Sequence, residues 1–364
     1  MRVKDIVAFL EEEFPPRYAE PYDNTGLLTG DLEAEITGVL TAHDVLEPVV
    51  DEALSSGYNM IVGFHPIIFR GLKSLTGKNY VERAVIKAIR NGIAIYSPHT
   101  AVDKHHRGVS YWTAKALGLE NTRVLMPENG RLYQLVTYAP HADAEKVRSA
   151  LFRAGAGHIG EYEECSFNVE GYGTFKASEK ANPYVGEKGK RHTEPETRIS
   201  VVFPQHLTGK VLQAMYAAHP YEEPAYEIFK TENEHPEIGL GTVGELPEPM
   251  DEKSFLNHIK NVLKTPVLRH SAFLNRPVKK VAIIGGSGAT GIEAALRAGA
   301  DAFITGDLKY HDFFKASEGI LLVDAGHYES EQFVSRELAA RISEKFPNFA
   351  VKLSDIQTNP VKYF

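Results

Sequence analysis

What most restricts the fold of this chain is a repeated arrangement: a short apolar run stops on a polar, metal-competent side chain. Met60-Ile61-Val62-Gly63 leads into Phe64-His65-Pro66, and Ile93-Ala94-Ile95-Tyr96 leads into His99 and Asp103. Residues 302–305 lead into Asp307 and His311, and Leu321-Leu322-Val323 leads through Asp324 into His327. Runs of this length bounded by turn residues read as buried strands. Between them, residues 46–56, 81–91 and 292–298 carry helical spacing, and Gly57 and Gly92 stop the first two. Alternation of this kind predicts an α/β fold, a layered domain with a largely parallel sheet. Such sheets collect ligand-binding groups beyond the carboxyl ends of their strands.

His327 and Glu331 lie four residues apart, so on a helix opening near Tyr328 they share one face of the first turn. One imidazole beside one carboxylate suits a divalent ion such as zinc, iron or manganese. The same pair is also at home on a solvated helix face. His65, His99 and Asp103, from two further strand ends, move the balance towards a metal site. The stretch 285–291 is a competing feature. Gly286, Gly288 and Gly291 fit G-x-G-x-x-G between an apolar strand and a helix, and Asp307 follows near the position of a ribose-binding acid. That pattern suits a dinucleotide-binding oxidoreductase. It suits equally a close approach of helix to sheet that leaves backbone N–H groups as a nest for an anion such as phosphate.

Charge and composition remove other classes. A formal net charge of -8 without a basic stripe gives no footprint for nucleic acid. No apolar run nears the ~20 residues that cross a bilayer. The opening stretch carries Glu11, Glu12 and Glu13 and reads as an amphipathic helix rather than a secretory leader. The single Cys165 excludes an intramolecular disulfide and fits a reducing cytoplasm.

At about residue 128 the rhythm changes. Strand 132–138, helix 144–154, a Gly-rich polar stretch over 171–196, strand 198–203, helix 208–218 and strand 226–229 follow in the β-α-β-β-α-β order of a ferredoxin-like α+β unit. The stretch 171–196 predicts an exposed hairpin or a flexible loop. His219-Pro220-Tyr221-Glu222-Glu223-Pro224 reads as a ligand-binding strip or as a helix-to-strand connector. Residues 232–241 and 247–249 read as linkers.

In this order, Tyr22-Asp23-Asn24-Thr25-Gly26-Leu27, Phe64-His65-Pro66, His99-Thr100-Ala101-Val102-Asp103, Ile304 to His311, and Asp324 to Glu331 resemble the GTP cyclohydrolase I type 2 homologues, also called Nif-three-like proteins. Ala154 to Gly157, Gly171 to Phe175 and His219 to Glu223 make the middle similar to P-II and CutA ferredoxin-like modules. The resemblance implies a discontinuous metal-binding α/β domain over 1–127 and 238–364, interrupted by a ferredoxin-like insert over 128–237. It further implies a cytoplasmic, toroidal homohexamer built as a trimer of dimers, with one or two divalent ions per subunit. His65 and His327 would hold one ion and Asp103 the other, with Glu331 bridging. His99 and His311 would stand beside them as candidate proton carriers.

Two departures bear on this. The family usually has two consecutive histidines where this chain has Phe64-His65, and phenylalanine has no lone pair to donate. The second metal position is therefore expected to be weak or empty, or to draw on water or His99. Thr100-Ala101-Val102 also stands where the family favours Thr-Asn-Leu, which removes a side-chain amide. The functional expectation is a metal-dependent hydrolase acting on a nucleotide-like substrate. The alternatives are a non-enzymatic metal carrier, insertion or regulatory protein and, more remotely, the dinucleotide oxidoreductase.

Overall fold

The short apolar runs become strands that are buried along their whole length. Val39–Ala42, Met60–Gly63, Ala94–Ser97 and Leu321–Asp324 expose none of their residues, as expected where both faces of a parallel sheet are covered. The computed structural model describes all 364 residues, which divide into two compact units, Met1–Pro127 with Pro236–Phe364, and Glu128–His235.

The first unit contains two mixed sheets instead of the single largely parallel sheet expected. The five-stranded sheet runs Gly26–Thr29, Ala94–Ser97, Met60–Gly63, Val39–Ala42, Val351–Leu353. All its neighbours are parallel except the first pair. The six-stranded sheet runs Arg269–His270, Leu321–Asp324, Ala302–Gly306, Val278–Ser287, Glu234–Met250, Glu120–Asn129. Leu321–Asp324, Ala302–Gly306 and Val278–Ser287 are parallel, and antiparallel partners flank them on either side. Antiparallel partners need no crossover helix, so strand–helix alternation leaves no trace of them. The linker expectation fails for the same reason: the prolines and glycines of 232–249 lie inside one 17-residue strand, Glu234–Met250. Gly241 passes so close to Ile283 and Ile284 of the neighbouring strand that a Cβ would collide with them.

Helices cover both faces of the five-stranded sheet. Val3, Ile6 and Leu10 of Val3–Glu13 and Val334, Leu338 and Ile342 of Val334–Lys345 pack with Val39, Met60 and Tyr96. Val49, Val50 and Ala53 of Glu47–Ser55 and Ala84, Val85 and Ala88 of Tyr80–Arg90 pack with Leu40, Ile61 and Ile95. Alternate residues of one strand therefore feed opposite cores. No helix is long and apolar enough to cross a membrane.

The second unit runs Leu132–Pro140, helix Ala144–Arg153, Phe167–Lys176, Arg191–Pro204, helix Thr208–Ala218, Tyr226–Lys230. Its four strands form an antiparallel sheet in the order Phe167–Lys176, Arg191–Pro204, Leu132–Pro140, Tyr226–Lys230. The Gly-rich stretch is the exposed hairpin of the two alternatives. Leu135, Val147, Leu151, Val201, Val211 and Met215 form the core beneath the helices.

Candidate metal centre

Strand ends from both sheets of the first unit meet around Glu331. His43 and Asp44 follow Val39–Ala42, His65 follows Met60–Gly63, and His327 and Glu331 open and close the one-turn helix after Leu321–Asp324. Glu331 is buried, and its Oε2 has no hydrogen-bond partner. That oxygen lies 3.4 Å from His43 Nε2, 3.4 Å from His65 Nε2 and 3.3 Å from His327 Nε2.

Carboxylates orient two of these rings from behind. His65 Nδ1 donates to Asp44 Oδ1 at 2.8 Å, and Asp44 also accepts from Thr358 Oγ1 at 2.7 Å. His327 Nδ1 donates to Asp307 Oδ2 at 2.7 Å. In its neutral form, with the proton on Nδ1, each ring would turn its Nε2 lone pair towards the centre, the arrangement common among metal-ligating histidines. His99 is held in the same manner, its Nδ1 donating to Asp23 at 2.8 Å, while Asp23 also accepts from the Thr100 amide and hydroxyl.

The charges are strongly coupled. Burial opposes a proton on His65, but Asp44 and Glu331 outweigh it and push the ring up to about 10. Glu331, aided by Asp307, raises His327 to about 9 against the effect of burial. Burial alone would raise Glu331 as well, yet the imidazoles of His327, His43 and His65 hold it well below the usual carboxylate range. Burial and the Glu331 charge drive Asp103 the opposite way, well above that range. Without a metal, the centre thus keeps protons where a dication would otherwise balance the carboxylates.

Of the residues predicted from sequence, His65, His327 and Glu331 come together, with donor atoms within 4.8 Å of one another. Asp103 ends the short helix His99–Asp103 within electrostatic reach of that group but is not part of it. The His99 ring stands 5.3 Å from that of His65. His311 does not join: it is exposed and packs edge-on against Tyr310. Phe64 is fully buried, its ring 4.9 Å from His65 and 5.5 Å from both His43 and His99. Hydrocarbon therefore stands among three imidazoles.

Three amides of the glycine stretch are hydrogen-bonded within the chain. The Gly286 amide donates to Ser330 Oγ, the Gly288 amide to Thr305 Oγ1 and the Gly291 amide to the Gly288 carbonyl, each at 2.9 Å. The amides of Gly286, Gly288 and Gly291 are thus committed within the chain. Asp307, in the place of a ribose-binding acid, is engaged with His327. Gly286 instead makes room, because a Cβ there would overlap Glu331 Oε1.

Sequence reasoning missed His43, Asp44, and the roles of Asp23 and Asp307 as partners of His99 and His327. The signal for His43 was the one used for His65, an imidazole just beyond a short buried strand. The centre opens into a cavity of about 390 Å³ lined by His43, His65, Arg269, His327, Asn359 and Tyr363 among others.

Residues 1–360 match the Duf34/NIF3 (NGG1p interacting factor 3) family. A Halalkalibacterium halodurans protein named GTP cyclohydrolase 1 type 2 homolog is 39% identical over 363 residues, 98% of each chain. Its namesake in Bacillus subtilis is 38% identical over 99% of this chain and 98% of its own. The crystal structure of a Bacillus cereus protein related to NIF3 superposes with a TM-score of 0.87 at 38% identity, covering 100% of this chain and 99% of that one.

Proposed function

The chain belongs to the Duf34/NIF3 family, and on that premise we propose that it is a metal-dependent hydrolase acting on a nucleotide-like substrate. The observation that carries the metal reading is Glu331 Oε2, buried, without a hydrogen bond, and 3.3–3.4 Å from three imidazole nitrogens. Such an atom is costly unless a cation completes it. His65, His327 and Glu331 would hold the ion, and Asp103 would help to hold a second one beside Glu331. A divalent ion held there would supply a lowered pKa for water and polarisation of a substrate oxygen. Asp44 and Asp307 keep the His65 and His327 rings aimed. His99, with Nδ1 tied to Asp23, presents Nε2 as the proton carrier. The cavity of about 390 Å³ is within the size range of small-molecule sites. The relatives' name supports a purine nucleotide as the first substrate to try.

The unit Glu128–His235 has the element order of a ferredoxin-like module, and we assign it as a P-II/CutA-like insert in a cytoplasmic homohexamer. A second reading, a metal carrier, is favoured by Phe64, because hydrocarbon in the ligand shell suits an ion that must leave.

The test is metal analysis of the full chain equilibrated with zinc, iron or manganese, followed by assay of formate release from GTP. Bound metal with turnover, both lost in His327→Ala, is the expected result. Metal without turnover, passed on to an apo-protein acceptor, moves the assignment to the carrier. Absence of metal at saturation sinks both.

A further inference from the structure

We infer that His43 is a metal ligand beside Glu331, on the side of the centre that it shares with His65. This rests on the metal-binding reading and assigns to it a residue from a strand outside the predicted ligand set.

His43 is only 7% exposed, and neither of its ring nitrogens has a hydrogen-bond partner. An imidazole retained merely to fill space would leave two unpaired polar atoms in the interior, where an apolar side chain would carry no such penalty. The rings around it leave little freedom: His65 stands at 4.7 Å, Tyr328 at 4.8 Å and Phe64 at 5.5 Å between centroids.

The distance to Glu331 points the same way. At 3.4 Å, His43 Nε2 is beyond the usual hydrogen-bond range of about 2.7–3.2 Å. Two donors bound to one tetrahedral zinc at about 2.0–2.1 Å each lie about 3.4 Å apart. His65 at 3.4 Å and His327 at 3.3 Å keep the same spacing to the same oxygen. His43 Nε2 thus keeps the spacing to Glu331 Oε2 that the two predicted imidazole ligands keep, while its donor atoms group with those of Asp44 and His65 within 4.8 Å.

Strand pairing explains how this position becomes available. Val39–Ala42 and Met60–Gly63 are parallel neighbours, and the His65 amide donates to the His43 carbonyl at 3.0 Å. The two histidines therefore leave adjacent strand ends at one level. Phe64 offers no donor on that side, and the next strand supplies one. His43 differs from His65 and His327 in one respect: no carboxylate holds its Nδ1. It is accordingly the weakest of the three imidazole ligands.

The test uses the full chain loaded with zinc. In crystals of the unmodified protein, anomalous scattering at the zinc edge is expected to place an ion within about 2.2 Å of His43 Nε2. In solution, His43→Leu is expected to weaken zinc binding at least tenfold in competition with a chelator, and to alter the visible spectrum of the cobalt(II) form. Zinc bound to His65, His327 and Glu331 with His43 Nε2 beyond about 3 Å overturns the inference and leaves the metal reading standing. Unchanged affinity in His43→Leu does the same. No zinc at the cluster in the unmodified protein overturns the metal reading itself. Should His43→Leu fail to fold, the crystallographic distance decides alone.

Discussion

Gly286 has a φ of +62°, and the space where its Cβ would sit is taken by the carboxylate of Glu331. Two costs can therefore be separated by substitution. Gly299 has a similar φ of +69° with nothing within 4 Å of the place a methyl would take, so Gly299→Ala bears only backbone strain, about 1 kcal/mol. Gly286→Ala adds displacement of Glu331. Thermal unfolding should show a loss in both variants, larger in Gly286→Ala, and titration should show zinc affinity falling at least tenfold in Gly286→Ala alone. Equal affinities would mean that Glu331 moves aside without consequence. Phe64→His is the complementary change, since it puts a nitrogen among His43, His65 and His99. Metal bound per chain should rise. The metal-free form should lose about 1–3 kcal/mol through a buried, unpaired polar group, measured by denaturant unfolding. Unchanged stoichiometry would show that position 64 does not face an ion. His65, His327 and Glu331 were legible because a strand end or an i,i+4 spacing marks each of them. Asp44, Asp307 and Asp23 were not, because a carboxylate behind an imidazole is defined by a contact across strands, which spacing does not encode.

Among the elements, the helix Tyr80–Arg90 and the turn before it show how one side chain can fix a local structure. Asn79 caps the helix by accepting from the Glu82 amide at 2.9 Å. The Glu82 carboxylate turns back to accept from the Thr76 amide at 2.9 Å and hydroxyl at 2.9 Å and from the Gly77 amide at 3.0 Å. Burial opposes its charge, but the Thr76 and Lys78 groups outweigh it and bring it from an ordinary 4.5 down to about 2. A carboxyl lowered on folding stabilises the folded chain above its unfolded value and stops doing so as pH falls through its folded value. The contribution is thus fully present above about pH 4.5 and fades towards pH 2. Glu82→Gln should lower the melting temperature most at pH 6 to 7, and the gap to the unmodified protein should close across that acid window. A gap independent of pH would mean that the carboxylate charge has no part in holding the turn. Helices and doubly buried strands such as these were legible, since periodicity and stop residues mark them. Glu120–Asn129, Glu234–Met250 and Val351–Leu353 were not, because pairing with a neighbour makes them strands, and their own patterning is interrupted or too short.

At the scale of the whole molecule, each unit has cores of its own. The residues of one core cluster all lie between Tyr133 and Ile228, and those of the other four all lie outside Glu128–His235. Each unit therefore meets the usual condition for an independent domain, a hydrophobic core that needs no other. The rhythm of the sequence changes near residue 128, and the first segment of the first unit ends at Pro127. The second boundary was blurred, because Glu234–Met250 begins as a strand before Pro236 and runs on into the six-stranded sheet. Within the first unit the cut ends already lie together: a Cβ on Gly239 would touch Met126 and Pro127. Replacing residues 128–235 by a short glycine linker should therefore close a small loop at modest entropic cost. The shortened chain should unfold cooperatively and bind the same number of zinc ions per chain, because His43, His65, Asp103, His327 and Glu331 all belong to the unit that remains. Metal analysis and thermal unfolding of the purified shortened chain would check both statements. A chain that folds yet binds no zinc would mean that Glu128–His235 contributes to the centre, and the assignment of all its ligands to the first unit would have to be given up.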